Sequence, residues 1–544
     1  MRKIAVVLLL SALPALCQER VDLGVVDRIK AEAFEHSRVM ETLRNLTDVR
    51  GPRLTGSPGF EAAARWAVGE LNGYGLEKVH LEKWGPFGRA WTLEQSSLEL
   101  LEPGYQQLTA VPLAWSSSTN GPVTGDLVLA PLRVSFRDGP RKLEAAMQAY
   151  RAQWSGKLRG KIVLISAPKV PPQQTSPQFR RYTAAELADM MNAPAPAARI
   201  TAKKLDELDW PEDPADIGKF FGSLPNSLME QLYDLYDEAI AKRAEFFAKE
   251  GVAGGLQLDD RAHTGMLFAE AAGGFKAAGT PAPPTFVVTA EQYNRIGRLL
   301  EKKSPVRVRM NLKAAMSDRD QDGLNIVGEL PGGDRKDEIV MVGAHFDSWH
   351  TGTGATDNGA GSAVMMEVMR ILKALNLKLD RTVRIGLWGG EEEGLFGSRA
   401  YVKEHFADPK TMQVTSDHAR LSGYFNLDNG SGKIRGVYLQ GHEAMRPIFE
   451  SWLAPFRDMG VTTVTIRNTG GTDHLSFAAV GLPGFQFIQD PLDYSTITHH
   501  SDMDTWDHAV PEDLMQASAV IATVVYQTAT RKELLPRREL PKPE

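Results

Sequence analysis

From Asp27 to Leu71 apolar residues recur at helical spacing on either side of a polar break, Arg50-Gly51-Pro52-Arg53-Leu54-Thr55-Gly56-Ser57-Pro58-Gly59, so the pattern predicts helix, loop, helix. Between about Trp91 and Ala315 the texture changes. Short β-like runs, Asp126-Leu127-Val128-Leu129 and Lys161-Ile162-Val163-Leu164-Ile165 among them, alternate with turns and polar stretches. This predicts a separate, strand-rich insert. Inside it, Pro171 to Pro177 and Ala193 to Ala197 are rich in Pro, Ala and Gln, and Asp206 to Asp216 is acidic, which reads as mobile surface loops without chemistry.

From Asn325 onward strands and helices alternate, the pattern of an α/β sheet covered by helices on both faces. Glu338 to Ala344 is an apolar strand run, and Ala363 to Leu375 places Val364, Val368, Ile371, Leu372 and Leu375 on one helical face. Thr382 to Trp388, Gly423 to Leu427 and Gly484 to Ile488 supply further strands. The expected organisation is therefore a leader over residues 1–17, a first part of an α/β domain over 18–90, the insert over 91–315, the main part of the α/β domain over 316–530 and a polar tail over 531–544.

A chain of 544 residues exceeds what one core usually supports, in keeping with two compact units. The net charge of −6 provides no basic field for phosphate backbones, which excludes nucleic acid as the natural partner. Arg2 and Lys3 precede the apolar run Ile4 to Leu10, and Ala15-Leu16-Cys17 supplies small residues at cleavage offsets, so the beginning reads as a signal peptide and the chain as secreted or periplasmic. The run is too short to span a bilayer. Cys17 is the only cysteine, so cleavage after it removes disulfides, thiolate catalysis and cysteine-ligated metal together. Any metal must then be held by His, Asp and Glu.

Those residues crowd the carboxyl ends of the predicted strands, where side chains from several strands converge in open α/β sheets. His345-Phe346-Asp347-Ser348 ends the first, and Asp357-Asn358-Gly359-Ala360-Gly361 follows at a helix start. Glu391-Glu392-Glu393-Gly394 ends the next, Asp428-Asn429 another, and His499-His500-Ser501 lies in a late loop. His345, Asp357, Glu392, Asp428 and His500 are the ligand types that zinc accepts. A pair of metals needs a carboxylate shared between them, for which Asp357 is the candidate. A carboxylate free of metal must carry the proton from water to the leaving amine, for which Glu391 is the candidate. Taken singly, a strand-end histidine is more often a hydrogen-bonding residue, and a glutamate run more often a solvated helix start. Five such motifs at successive strand ends make coincidence a poor account.

This text resembles the co-catalytic zinc peptidases that include bacterial leucyl aminopeptidases, plasma glutamate carboxypeptidase and the prostate glutamate carboxypeptidase. The matching stretches are Gly343 to Trp349, Gly354 to Gly361, Trp388 to Ser398, Asn426-Leu427-Asp428 and His500-Ser501. The resemblance implies an α/β peptidase domain with a mixed central sheet, interrupted by a protease-associated domain whose best matches are Lys157 to Ile165 and Glu250 to Leu256. It also implies two zinc ions, one on His345 and Asp428, the other on Glu392 and His500, with Asp357 shared. Glu391 would be the general base for water activated by the metal, and Asp347 would orient His345. Several relatives have Tyr immediately before the last ligand histidine. Here His499 stands there, a candidate donor to the oxyanion beside the bland alternative of a loop-packing residue.

The expected activity is hydrolysis of a terminal peptide bond, with aminopeptidase, carboxypeptidase and dipeptidase action all open. Two other outcomes belong to similar scaffolds: a glutaminyl cyclase with one zinc, and a transferrin-receptor-like binding protein with none. The oligomeric state is left open, a homodimer included.

Overall fold

The computed structural model describes residues 19–132, 139–171, 173–195, 202–211, 220, 224, 226–317 and 319–543. The expected leader lies outside them, as do parts of the loops expected at Ala193 to Ala197 and Asp206 to Asp216. No helix among the described residues is long and apolar enough to cross a membrane.

Two eight-stranded sheets organise the chain. The first runs Glu77–Gly88, Gln321–Leu330, Arg381–Trp388, Arg335–His345, Leu421–Asn426, Gly484–Gln489, Ile434–Tyr438, Thr463–Thr465. Its middle four strands are mutually parallel, and the flanking pairs Gln321–Leu330 with Arg381–Trp388 and Ile434–Tyr438 with Gly484–Gln489 are antiparallel. The sheet is thus mixed, as the resemblance implies.

A parallel strand buried on both faces needs an unbroken apolar run. In Arg335–His345 the alternation shows where each face goes: Val340, Val342 and Ala344 enter one core cluster while Ile339 and Met341 enter another. The first cluster lies under the helices Leu23–Glu35, Val39–Thr47, Ala360–Ala374 and Pro511–Thr530, and the second, with Trp388, Tyr401, Tyr424 and Phe477, under Phe396–His405 and His474–Ala479. Each such buried aliphatic contributes about 1.5–3 kcal/mol. Helices therefore cover both faces, and only the strand ends are left for function.

The first expected helix is in fact two. Leu23–Glu35 starts on Asp22, whose carboxylate accepts from Val25 N at 3.1 Å, and stops before Ser37. There Ser37 Oγ accepts from Val39 N at 3.3 Å and Glu367 Oε1 from Arg38 N at 3.2 Å, so side-chain acceptors replace the helical carbonyls and Val39–Thr47 begins afresh.

The second sheet is built from residues 91–316, in the order Gln106–Gln107, Trp91–Glu102, Arg307–Met316, Val123–Leu129, Ile162–Leu164, Gly254–Gln257, Thr285–Val288, Ala110–Pro112. It has helices too, including Pro140–Trp154 and the long Asn226–Glu250. The latter's buried Leu228, Leu232, Ile240, Ala244 and Phe247 recur at helical spacing, a signal that the strand-rich reading passed over. The Pro171 to Pro177 stretch leads into Arg181, which pairs with Asp490 at 3.0 Å and Asp513 at 2.6 Å. The tail also docks: Leu535 is buried and its N–H donates to Ser422 Oγ at 3.3 Å.

Candidate metal centre

The four parallel strands each deliver one part of the site at their carboxyl ends. Arg335–His345 ends on His345; Arg381–Trp388 runs into the Gly389 to Gly394 turn; Leu421–Asn426 runs into Asp428; Gly484–Gln489 opens the loop that reaches His499 and His500. Asp357 arrives from the stretch leading into the Ala360–Ala374 helix. That helix approaches the Leu421–Asn426 strand closely because residue 361 is glycine: a Cβ there would stand 2.3 Å from Leu427 O. In the space so left, Asn358 Nδ2 donates to Leu427 O at 2.9 Å, tying the Asp357 turn to the Asp428 turn.

All five candidate ligands meet. His345 Nε2 lies 3.2 Å from Asp357 Oδ1 and 3.6 Å from Asp428 Oδ1; His500 Nε2 lies 3.3 Å from Asp357 Oδ2 and 3.0 Å from Glu392 Oε2. Each imidazole is turned the same way, since His345 Nδ1 donates to Asp347 O at 3.1 Å and His500 Nδ1 to Glu270 Oε1 at 2.7 Å, leaving both Nε2 lone pairs for the centre. Asp357 offers one oxygen to each histidine. His499 Nε2 is 3.7 Å from Asp357 Oδ2, so it too stands within reach of a cation beside His500, but Glu392 is nearer to that histidine and far less exposed.

The donor set fits a metal. Ligand atoms held at about 2.0–2.1 Å from a tetrahedral ion sit about 3.3 Å apart, and the four histidine–carboxylate pairs here span 3.0 to 3.6 Å. Asp357 Oδ2 and Glu392 Oε1 are buried with no hydrogen-bond donor among the described residues. Buried polar groups left in that state are costly unless something else satisfies them.

The electrostatics agree. Burial, and then Asp357, pushes the Glu392 carboxyl up to about 7. Burial also raises Glu391 well above the usual range, with Asp428, Asp473 and Glu392 adding to it against the pull of His345. Burial works against charge on His345 and His500, yet the facing carboxylates hold both well above 6.5. Glu391 and Glu392 thus resist ionising, while Asp357, facing both histidines, is held well below its ordinary range, a clustering of charge that a bound cation would balance. His499 goes the other way: burial and the neighbouring His500 push it down to about 3, so its ring is neutral.

Asp347 sits 3.7 Å from His345 Nδ1, whose hydrogen bond goes to the Asp347 backbone carbonyl instead. Its carboxylate accepts from Glu391 N at 3.2 Å, Glu392 N at 3.1 Å and Thr55 Oγ1 at 3.1 Å. Asp347 thus faces His345 with both its carbonyl and its carboxylate, and the carboxylate also holds the glutamate turn.

Several supporting residues escaped the sequence reading. Arg53, fully buried in the Arg50 to Gly59 break, donates to Phe346 O at 2.7 Å, Gly354 O at 2.8 Å, Leu46 O at 2.9 Å and Thr353 O at 3.0 Å, pinning both ends of the segment that runs from His345 towards Asp357. Asp504 accepts from Thr356 N at 2.6 Å and Asp357 N at 3.2 Å, and burial beside Asp357 pushes it up to about 7. Its position four residues after His500 was a usable signal; Arg53 and Glu270 had none beyond being charged residues in loops.

The fold and the cluster at its strand ends define a metal-dependent hydrolase, a metallopeptidase. Within that class, residues 325–525 match the model of peptidase family M28. Carboxypeptidase Q of Bos taurus and of Homo sapiens are each 27% identical over 92% of this chain and 87% of their own length. Aminopeptidase YwaD of Bacillus subtilis is 30% identical over 40% of this chain and 47% of its own. Among solved structures, a peptidase M28 precursor from Shewanella amazonensis, 24% identical, superposes with a TM-score of 0.64 over 95% of this chain and 98% of that one. The zinc aminopeptidase BSAP of Bacillus subtilis, 19% identical, gives 0.53 over 91% and 95%.

Proposed function

We propose that the chain is a secreted exopeptidase that holds two zinc ions and hydrolyses the terminal bond of a peptide. The observation that carries this reading is Asp357, whose two oxygens face different histidines, each histidine facing a second carboxylate. His345, Asp357 and Asp428 would hold one ion, and Asp357, Glu392 and His500 the other. When bound there, zinc would supply Lewis acidity toward the scissile carbonyl and the attacking water.

The chain's own groups do the rest. Glu391, kept basic enough by burial to hold a proton, takes one from the attacking water as its oxygen bonds to the carbonyl carbon. As the C–N bond breaks, Glu391 returns that proton to the leaving amine. Asp347 keeps Glu391 and Glu392 in register through their N–H groups. His499, neutral and half-exposed at the mouth, would donate its N–H to the oxyanion.

The relative matched over most of the chain is named a carboxypeptidase and the partial match an aminopeptidase. We read residues 1–17 as the export signal and residues 91–315 as a protease-associated-like insert. Metal analysis of the purified chain with turnover on dipeptides, amino-acid anilides and N-blocked peptides tests the proposal. About two zinc ions per chain with hydrolysis is expected. One zinc with cyclisation of N-terminal glutamine, or no zinc and no turnover, would sink it.

A further inference from the structure

The insert reaches the candidate centre. Its segment Leu267 to Glu270 lies along the loop that carries His500: Asp502 N donates to Leu267 O at 2.9 Å, Leu267 N to Asp502 Oδ1 at 3.0 Å and Ala269 N to His500 O at 3.2 Å, with Phe268 bridged to Ser501. His500 has a φ of 62°, a conformation that side-chain-bearing residues rarely adopt, so the loop needs this support from outside. Glu270 then accepts from His500 Nδ1 at 2.7 Å. The same Glu270 oxygen accepts from Arg261 Nη2 at 2.9 Å; Arg261 is anchored on Asp259 by Nε at 2.9 Å and lies over the Phe268 ring at 4.9 Å.

We propose that Glu270 is a positioning residue for the metal centre, so that the half built on His500 is complete only with the insert docked. The inference rests on the reading of His500 as a ligand. A carboxylate on the far nitrogen of a ligand histidine fixes its tautomer and direction and strengthens it as a donor. The two histidines are unequal in this respect. His345 leans on the Asp347 carbonyl, with the carboxylate of that same residue 3.7 Å away, so its support is local, whereas His500 leans on a carboxylate 230 residues away in the chain. Zinc at the His500 position therefore answers to the insert, and zinc at the His345 position does not.

Stepwise zinc dissociation constants of the full chain, measured by competition with a chromogenic chelator, test this together with the visible absorption of the cobalt-substituted protein. Glu270→Ala should weaken one zinc about 10–100-fold and leave the other within about twofold. Glu270→Gln, which keeps the shape and an acceptor oxygen but not the charge, should fold as the parent and weaken the same zinc by a smaller factor. The cobalt spectrum should change for one ion only. Parent-like constants in both variants would overturn the inference, as would equal weakening of both zincs, which signals general loosening. A parent chain that binds no zinc would fell the reading beneath it and this inference too; a parent with two zincs and unchanged Glu270 variants fells the inference alone.

Discussion

The strand ends and the insert edge supply the candidate centre in contrasting ways. At the strand ends, His345, Glu391, Glu392 and Asp428 each follow an apolar strand within a few residues, so local sequence sets their place. At the insert edge, Glu270 reaches His500 from 230 residues away in the chain and is itself held by Arg261. The contrast separates two kinds of requirement. Groups that react must stand on rigid elements, while groups that orient them can come from anywhere the fold brings close.

The largest test of that division is Asp357→Ala, which removes the one residue facing both histidines. Zinc content after dialysis should fall at both positions, and hydrolysis with it; normal content of two would show that the strand-end half does not share a ligand. Next, Glu391→Gln should retain both metals while kcat drops about 10²–10⁴-fold, because the amide cannot take the proton. Near-parent turnover would move the base elsewhere.

On the loop side the effects should be smaller. His499→Ala is expected to lower kcat by about 10²-fold with zinc content and ground-state binding unchanged. Zinc loss would instead mark His499 as a loop-ordering residue acting through His500, whose ring lies 3.9 Å from its own.

The smallest effect concerns the beginning of the same loop, where His508 Nδ1 donates to Asp493 Oδ2 at 2.6 Å. That hydrogen bond, against the opposing effect of burial, raises the His508 pKa above 6.5. A raised histidine gives stability that is full below its unfolded value and is lost as pH rises through the folded one. His508→Asn should therefore flatten the decline of unfolding free energy above about pH 6.5, by less than about 1 kcal/mol after solvent screening. An unchanged pH profile would remove the pair from the account.

What could be read from sequence follows the same line. The runs Glu338 to Ala344 and Thr382 to Trp388 lie inside strands that begin at Arg335 and Arg381, because burial on both faces forces continuous apolar text. The acids and histidines after them stood out because such residues are expensive at the end of a buried strand unless they converge on something. Asp347 was located but its carboxylate partner was not, since a hydrogen bond to Glu391 N depends on how two loops meet. The Asn226–Glu250 helix went unread because its apolar stripe is diluted by charged residues, and Arg53 because a buried arginine looks like a surface one until its carbonyl acceptors are known.

The first strand of the catalytic sheet imposes an order of events on biosynthesis. Gly88 pairs with Gln321, so Glu77–Gly88 emerges from the ribosome long before the strand it joins. At about 5–20 residues per second the wait is roughly ten to fifty seconds, during which the insert can collapse around its own sheet and bring the two ends together. Arg53 and Thr55, made earlier still, have nothing to grip until Phe346 and Asp347 arrive, and the Pro511–Thr530 helix must follow before the sheet is covered. A half-made chain thus has no competent centre. The protein is spared its own chemistry while it is being built.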